Sequence, residues 1–161
     1  MPADQAAKAA IRDRVWTTLE ASGASAAAHG RIPDFVGSDR AADRMAELPH
    51  WQQARTVKAE LAEPRDQLAN RHRTADVAPT VPLDSLPPID FIICGSVAVN
   101  YDGVRVGKGA GYTDIEVALL AGAGLLKPDT TIVTTVHEQQ VLNEVLPHEP
   151  HDFTVDYIVT P

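Results

Sequence analysis

The sequence predicts an α/β sandwich with a largely parallel sheet, and three observations carry that reading. Ile89 to Cys94 and Thr131 to Val136 are short apolar or β-branched runs without polar alternation, the pattern of strands covered on both faces. Thr113 to Ala121 lies between them and is helix-compatible, so strand, helix and strand follow in order. Near the N-terminus Ala7, Ala10, Ile11, Val15 and Leu19 recur at three- and four-residue steps, the stripe of a core-facing helix.

Taken in order, that first helix is predicted over Asp4 to Ala21 and is stopped by Gly23. Lys8 and Arg12, four apart, share one of its faces, and spacing alone reads them as a solvated basic edge. His29 to Phe35 is a turn-rich link. Ser38 is placed to cap a second helix running to about Leu48, before Pro49. Trp51 to Ala62 is helix-compatible without strong periodicity. Glu63 to Pro88 holds Pro64, Pro79, Pro82, Pro87 and Pro88 among mixed polar residues and reads as an irregular linker. Beyond it, Val97, Val99, Val104 and Val106 flank Tyr101-Asp102-Gly103, a hairpin turn. Glycines 122 and 124 end the central helix, Glu138 to Glu144 is a short helix, and Val155 to Val159 a last strand. There is no internal repeat, and 161 residues suit a single domain.

Bulk properties exclude several roles. A formal charge of −8 argues against general nucleic-acid binding, because phosphate backbones demand clustered Lys and Arg. Arg65, Arg71 and Arg73 are interleaved with Glu60, Glu63 and Asp66. No apolar run approaches the ~20 residues of a membrane span, and no basic-then-apolar leader opens the chain, so the expected location is the cytoplasm. Cys94, the only cysteine, can form no internal disulfide and reads as a small core residue.

The stretch Gly107-Lys108-Gly109-Ala110-Gly111-Tyr112-Thr113-Asp114 is the richest in chemistry. Alternate glycines let backbone approach a ligand closely, and the loop runs from a strand into a helix, where N–H groups and the helix dipole favour phosphate. Arg105 and Lys108 add positive charge, and Asp114 is a hard oxygen donor of the type Mg²⁺ prefers. The spacing fits neither a P-loop nor a dinucleotide fingerprint. Local physics leaves phosphate binding and a flexible turn without a ligand both open.

Other residues carry less. His148 and His151 lie in a proline-flanked acidic loop, and a solvated loop explains them better than zinc. His137 closes a strand, where hydrogen bonding at the strand end is the simpler role. Ser96 after Gly95 lacks a nucleophile-elbow pattern, which excludes a hydrolase triad. Trp16 and Trp51 are core or partner contacts.

Gly95 to Leu120, with Asp102-Gly103, Arg105, the glycine loop, Tyr112 and Asp114, resembles the C-terminal signature of the 5-formyltetrahydrofolate cyclo-ligase family. Lys108 stands where many members have arginine, and Thr113 replaces a second tyrosine. Lys8-x-x-x-Arg12 is similar to the family's N-terminal pair, and His151-Asp152 followed by Val155 to Thr160 to its closing segment. Arg31 to Ser38 and Gly95 to Ala98 look closest to the methenyltetrahydrofolate synthetase domain-containing branch. The likeness covers about residues 8 to 58 and 87 to 161.

The resemblance implies a three-layer sandwich of the NagB/RpiA/CoA-transferase type. It implies ATP contacts from Lys8 and Arg12, with Arg105, Gly107, Lys108, Gly109, Ala110, Gly111, Tyr112 and Thr113 wrapping the phosphates. Arg105, Lys108 and Tyr112 would stand nearest the chemistry, and Asp114 and Asp152 would hold Mg²⁺. The implied reaction is ATP- and Mg²⁺-dependent cyclisation of 5-formyltetrahydrofolate to 5,10-methenyltetrahydrofolate. The alternatives are a non-catalytic nucleotide- or folate-binding relative and an enzyme for another formylated metabolite. One departure stands out: the irregular stretch 63 to 88 replaces a strand–helix unit that the family uses in building its folate pocket. A neighbouring subunit is one source for the missing wall.

Overall fold

The computed structural model describes residues 3–59, 81–150 and 152–161. The expected linker therefore lies largely outside the described residues, as does His151; of its last part, Leu83–Ser85 forms a 3₁₀ turn.

Helix α1 (Ala3–Ser22) ends as expected at Gly23. Its inward stripe is Lys8, Ile11, Val15 and Leu19, whereas Ala7 and Ala10 are exposed. The solvated basic edge is thus corrected: Lys8 is buried, at the position that alanines were expected to fill. The chain then crosses to α2 (Ser38–Ala46), which is shorter than expected; Gly37, with φ 86°, stands at its N-cap in place of Ser38. The predicted helix over 51 to 62 also fails within the described residues. Helix α3 (Pro49–Gln53) stops early, and strand β1 (Val57–Ala59) follows. The reason is tertiary. Asp90 accepts hydrogen bonds from the N–H groups of Arg55 and Thr56, at 2.8 and 3.0 Å, and draws this backbone to a sheet edge.

Strand β2 (Ile89–Cys94) coincides with the apolar run. Strands β3 (Ala98–Asn100) and β4 (Arg105–Val106) form the predicted hairpin, with Ala98 opposite Val106. Asn100 ties the turn, its Oδ1 accepting from the N–H groups of Asp102 and Val104. Helix α4 (Tyr112–Gly122) follows, and then β5 (Leu126–Thr135), five residues longer at its start than predicted. That first half contains exposed Pro128 and Asp129 and so lacks the signature of a buried strand. The expected helix over 138 to 144 is instead a 3₁₀ turn, Glu138–Gln140, leading into β6 (Val141–Leu142). Reciprocal bonds between His137 and the end of the turn close it, and Val141 pairs with Val99. Strand β7 is Tyr157–Val159.

Strands order as β1-β2-β5-β7 in an all-parallel sheet, and as β4-β3-β6 in a small mixed one. Alternation sends Phe91 and Val133 toward Ala41, Met45 and Trp51 on one face. Ile92 and Ile132 go to Val117, Leu120 and Leu125 of the α4 side on the other. The parallel sheet is therefore sandwiched between helices, in three layers. The small sheet packs Val97, Ala98 and Val106 beneath Val15 and Leu19, which fixes α1 above the strand ends of the hairpin.

Candidate active site

Open α/β sheets leave a crevice beyond the carboxyl ends of their strands. Here β2 runs out at Cys94 and the chain turns through Gly95-Ser96, while β5 ends at Thr134 and Thr135. The glycine loop leaves β4 nearby, and α1 is laid over it.

The contacts form a ring. Lys8 Nζ lies 2.7 Å from Asp152 Oδ2 and 3.2 Å from Glu149 Oε2. One helical turn on, Arg12 Nε donates to Gly107 O at 2.7 Å. A Cβ built on Gly109 would come within 3.2 Å of the Arg12 guanidinium, and one on Gly107 within 2.9 Å of Arg105 Nη2. Arg105 Nη2 donates to Gly95 O at 2.8 Å, its Nη1 to Asp114 Oδ1 at 3.2 Å, and the guanidinium stacks 5.0 Å from the Phe153 ring. Phe153 follows Asp152, which returns to Lys8. Two guanidiniums thus pack against the glycine loop.

Charge is balanced unevenly around this ring. Burial disfavours the Lys8 ammonium, but its bonds to Asp152 and Glu149 outweigh that and raise its pKa. Among the described residues Arg12 makes no ion pair, and burial lowers its pKa. Lys108, Gly109, Ala110, Gly111 and Tyr112 are exposed, with Thr113 and Asp114 partly covered. An exposed loop bordered by Arg12, Arg105 and Lys108, at the start of an eleven-residue helix, can take an anion.

Every candidate residue from the sequence lies on this ring or on the loop inside it. Among the described residues the two aspartates do not share a partner: Asp114 is held by Arg105, Asp152 by Lys8. Among the described residues no three His, Cys, Asp or Glu converge, and His148 is exposed. Four participants were missed. Glu149 holds Lys8, Phe153 stacks on Arg105, and Ser96 and Thr134 are buried beneath that guanidinium. For Ser96 and Thr134 the signal was a polar residue at the end of an apolar strand; Glu149 and Phe153 carried none. His137 acts as expected, its Nδ1 accepting from Gln139 N at 3.2 Å.

Comparison with known proteins bears on the family and the fold. A methenyltetrahydrofolate synthase domain-containing protein of Bos taurus is 32% identical over 197 residues, covering 94% of this chain and 51% of the relative. The chain spans about half the length of the curated relatives it matches. That alignment is longer than the chain's 161 residues, so the relative carries residues with no counterpart here. Two solved structures share the fold. A 5,10-methenyltetrahydrofolate synthetase from Mycoplasma pneumoniae has a TM-score of 0.54 at 17% identity, covering 94% of this chain and 97% of its own. One from Aquifex aeolicus has 0.55 at 20%, covering 95% and 89%. The model of the 5-formyltetrahydrofolate cyclo-ligase family matches residues 69–161, more than half of the sequence, and the chain belongs to that family.

Proposed function

We propose that this chain binds ATP by its phosphates at the glycine loop and uses it to close 5-formyltetrahydrofolate to 5,10-methenyltetrahydrofolate. The observation that carries the reading is the grip of Arg12 and Arg105 on an exposed glycine loop at a helix N-terminus. ATP supplies the phosphoryl group that turns the formyl oxygen into a leaving group. The protein's share is positioning and charge neutralisation. Arg105, held by Ser96, Gly95, Asp114 and Phe153, is the fixed cation; Lys108, exposed, is the mobile one; Tyr112 borders the place where both substrates would meet.

Asp114 and Asp152 fit Mg²⁺ in kind, as carboxylate oxygens beside a phosphate site. Each already balances a protein cation, and a carboxylate has two oxygens, so a metal held there would share the carboxylate with Arg105 or Lys8.

The length of the alignment to the bovine relative favours a second reading, a nucleotide- or folate-binding protein without turnover. An absorbance assay for methenyltetrahydrofolate with ATP, run beside calorimetric titration of each ligand, separates the two. Product formation supports the enzyme, binding without product supports the second reading, and the absence of both binding and product overturns both.

A further inference from the structure

Beneath Arg105 lies a buried polar chain that the proposed reaction does not itself require. Ser96 and Thr134 are 1% and 0% exposed, at the ends of β2 and β5, where apolar residues would pack at less cost. Their protons can be assigned by inventory, because a hydroxyl has one. Thr134 Oγ1 lies 2.8 Å from Cys94 O, which only accepts, so the Thr134 proton goes there. The same oxygen lies 2.8 Å from Ser96 Oγ, and with the threonine proton committed the serine must donate. Ser96 Oγ then offers only lone pairs to its remaining neighbour, Arg105 Nε, at 3.4 Å. Gln140, 1% exposed, holds the backbone beneath by donating to Ser96 O and Val97 O at 2.9 and 3.2 Å.

We infer that Ser96 and Thr134 are positioning residues: a one-way hydrogen-bond relay, Arg105 to Ser96 to Thr134 to Cys94 O, aims the Arg105 guanidinium at the glycine loop. Direction is what matters. A serine proton turned toward Nε–H would repel the guanidinium, and Thr134, though it does not touch Arg105, prevents that turn. The relay polarises with its acceptor end toward the cation, which strengthens each bond in a site of low dielectric. With Nε spent on Ser96, one Nη1 bond on Asp114 and one Nη2 bond on Gly95, two of the five guanidinium protons are left for an anion. What Arg105 binds rests on the proposed function; how it is held does not.

The test reads the two separately. In protein labelled with ¹⁵N, the Arg105 Nε–H resonance is identified by its loss in Arg105→Lys. Thr134→Val and Ser96→Ala should each shift it and speed its exchange with water, and each should weaken ATP binding about tenfold, because the bond from Arg105 Nε to Ser96 is lost directly in Ser96→Ala and through the released serine proton in Thr134→Val. Thr134→Ser, which keeps the hydroxyl, should restore both. An Nε–H signal unmoved in Ser96→Ala and Thr134→Val overturns the relay; if one variant fails to fold, the other decides. A signal that moves in a protein whose parent binds no ATP upholds the relay and overturns the nucleotide reading.

Discussion

Gly109 has φ 102° and its Cα faces the Arg12 guanidinium, so a side chain there meets both a strained backbone and a filled space. Gly109→Val is expected to weaken ATP binding at least tenfold while costing on the order of 1–2 kcal/mol of stability, since the loop is otherwise exposed. Titration calorimetry and urea melts measure the two. Lys8 presents the opposite balance. Its ammonium is buried between Asp152 and Glu149, and Lys8→Ala removes the cation that separates two carboxylates beneath α1. The expected loss is on the order of 3 kcal/mol, read from urea midpoints. For metal dependence the carboxylates should matter and the exposed histidine should not. Asp114→Asn and Asp152→Asn are expected to raise the Mg²⁺ needed for tight ATP binding several-fold, with His148→Ala unchanged; a response confined to His148→Ala would remove the aspartates from the metal site.

Between β1 and β2 the Asp90 side chain reinforces the parallel backbone pairing. Asp90 accepts from Lys127 Nζ at 2.6 Å and from the N–H groups of Arg55 and Thr56, which lowers its pKa to about 2. The unfolded value is about 3.9, so the ionised form contributes stability above about pH 4 that is lost as pH falls toward about 2. Asp90→Asn should therefore lower the melting temperature at pH 7 and leave it nearly unchanged at pH 2, flattening the acid limb of the curve. The hairpin has its own fixed point. Gly103, at φ 80°, accepts from Val155 N, and a Cβ on it would lie 2.4 Å from Val155 O. Gly103→Ala is expected to cost about 3 kcal/mol by thermal melt, because strain and a backbone clash add.

At the scale of the whole molecule the question is turnover. A bound ATP accelerates nothing unless the formyl oxygen is held in line with it, and misplacement by ~1 Å can cost about a hundredfold. The bovine relative carries residues in its alignment that this chain lacks. We expect nucleotide binding to persist and methenyltetrahydrofolate formation to be slow, or to depend on protein concentration if a second subunit completes the site. Steady-state rates across a dilution series test this; brisk, dilution-independent turnover would show that the shorter chain suffices.

The sequence by itself determined the elements whose signals are local. Ile89–Cys94 needed only its apolar run, the hairpin only its valines around Asp102-Gly103, and the exposed loop before the central helix only its alternate glycines. Tertiary structure decided whatever depends on a partner distant in the chain. Lys8 looked solvated because its neutralising carboxylates lie 141 and 144 residues away. Residues 57 to 59 became a strand because Asp90 captured their approach, and 141 to 142 because Val99 offered an edge. Ser96 and Thr134 looked incidental because a hydroxyl's role rests on where its single proton goes, and that is set by neighbours that only folding assembles.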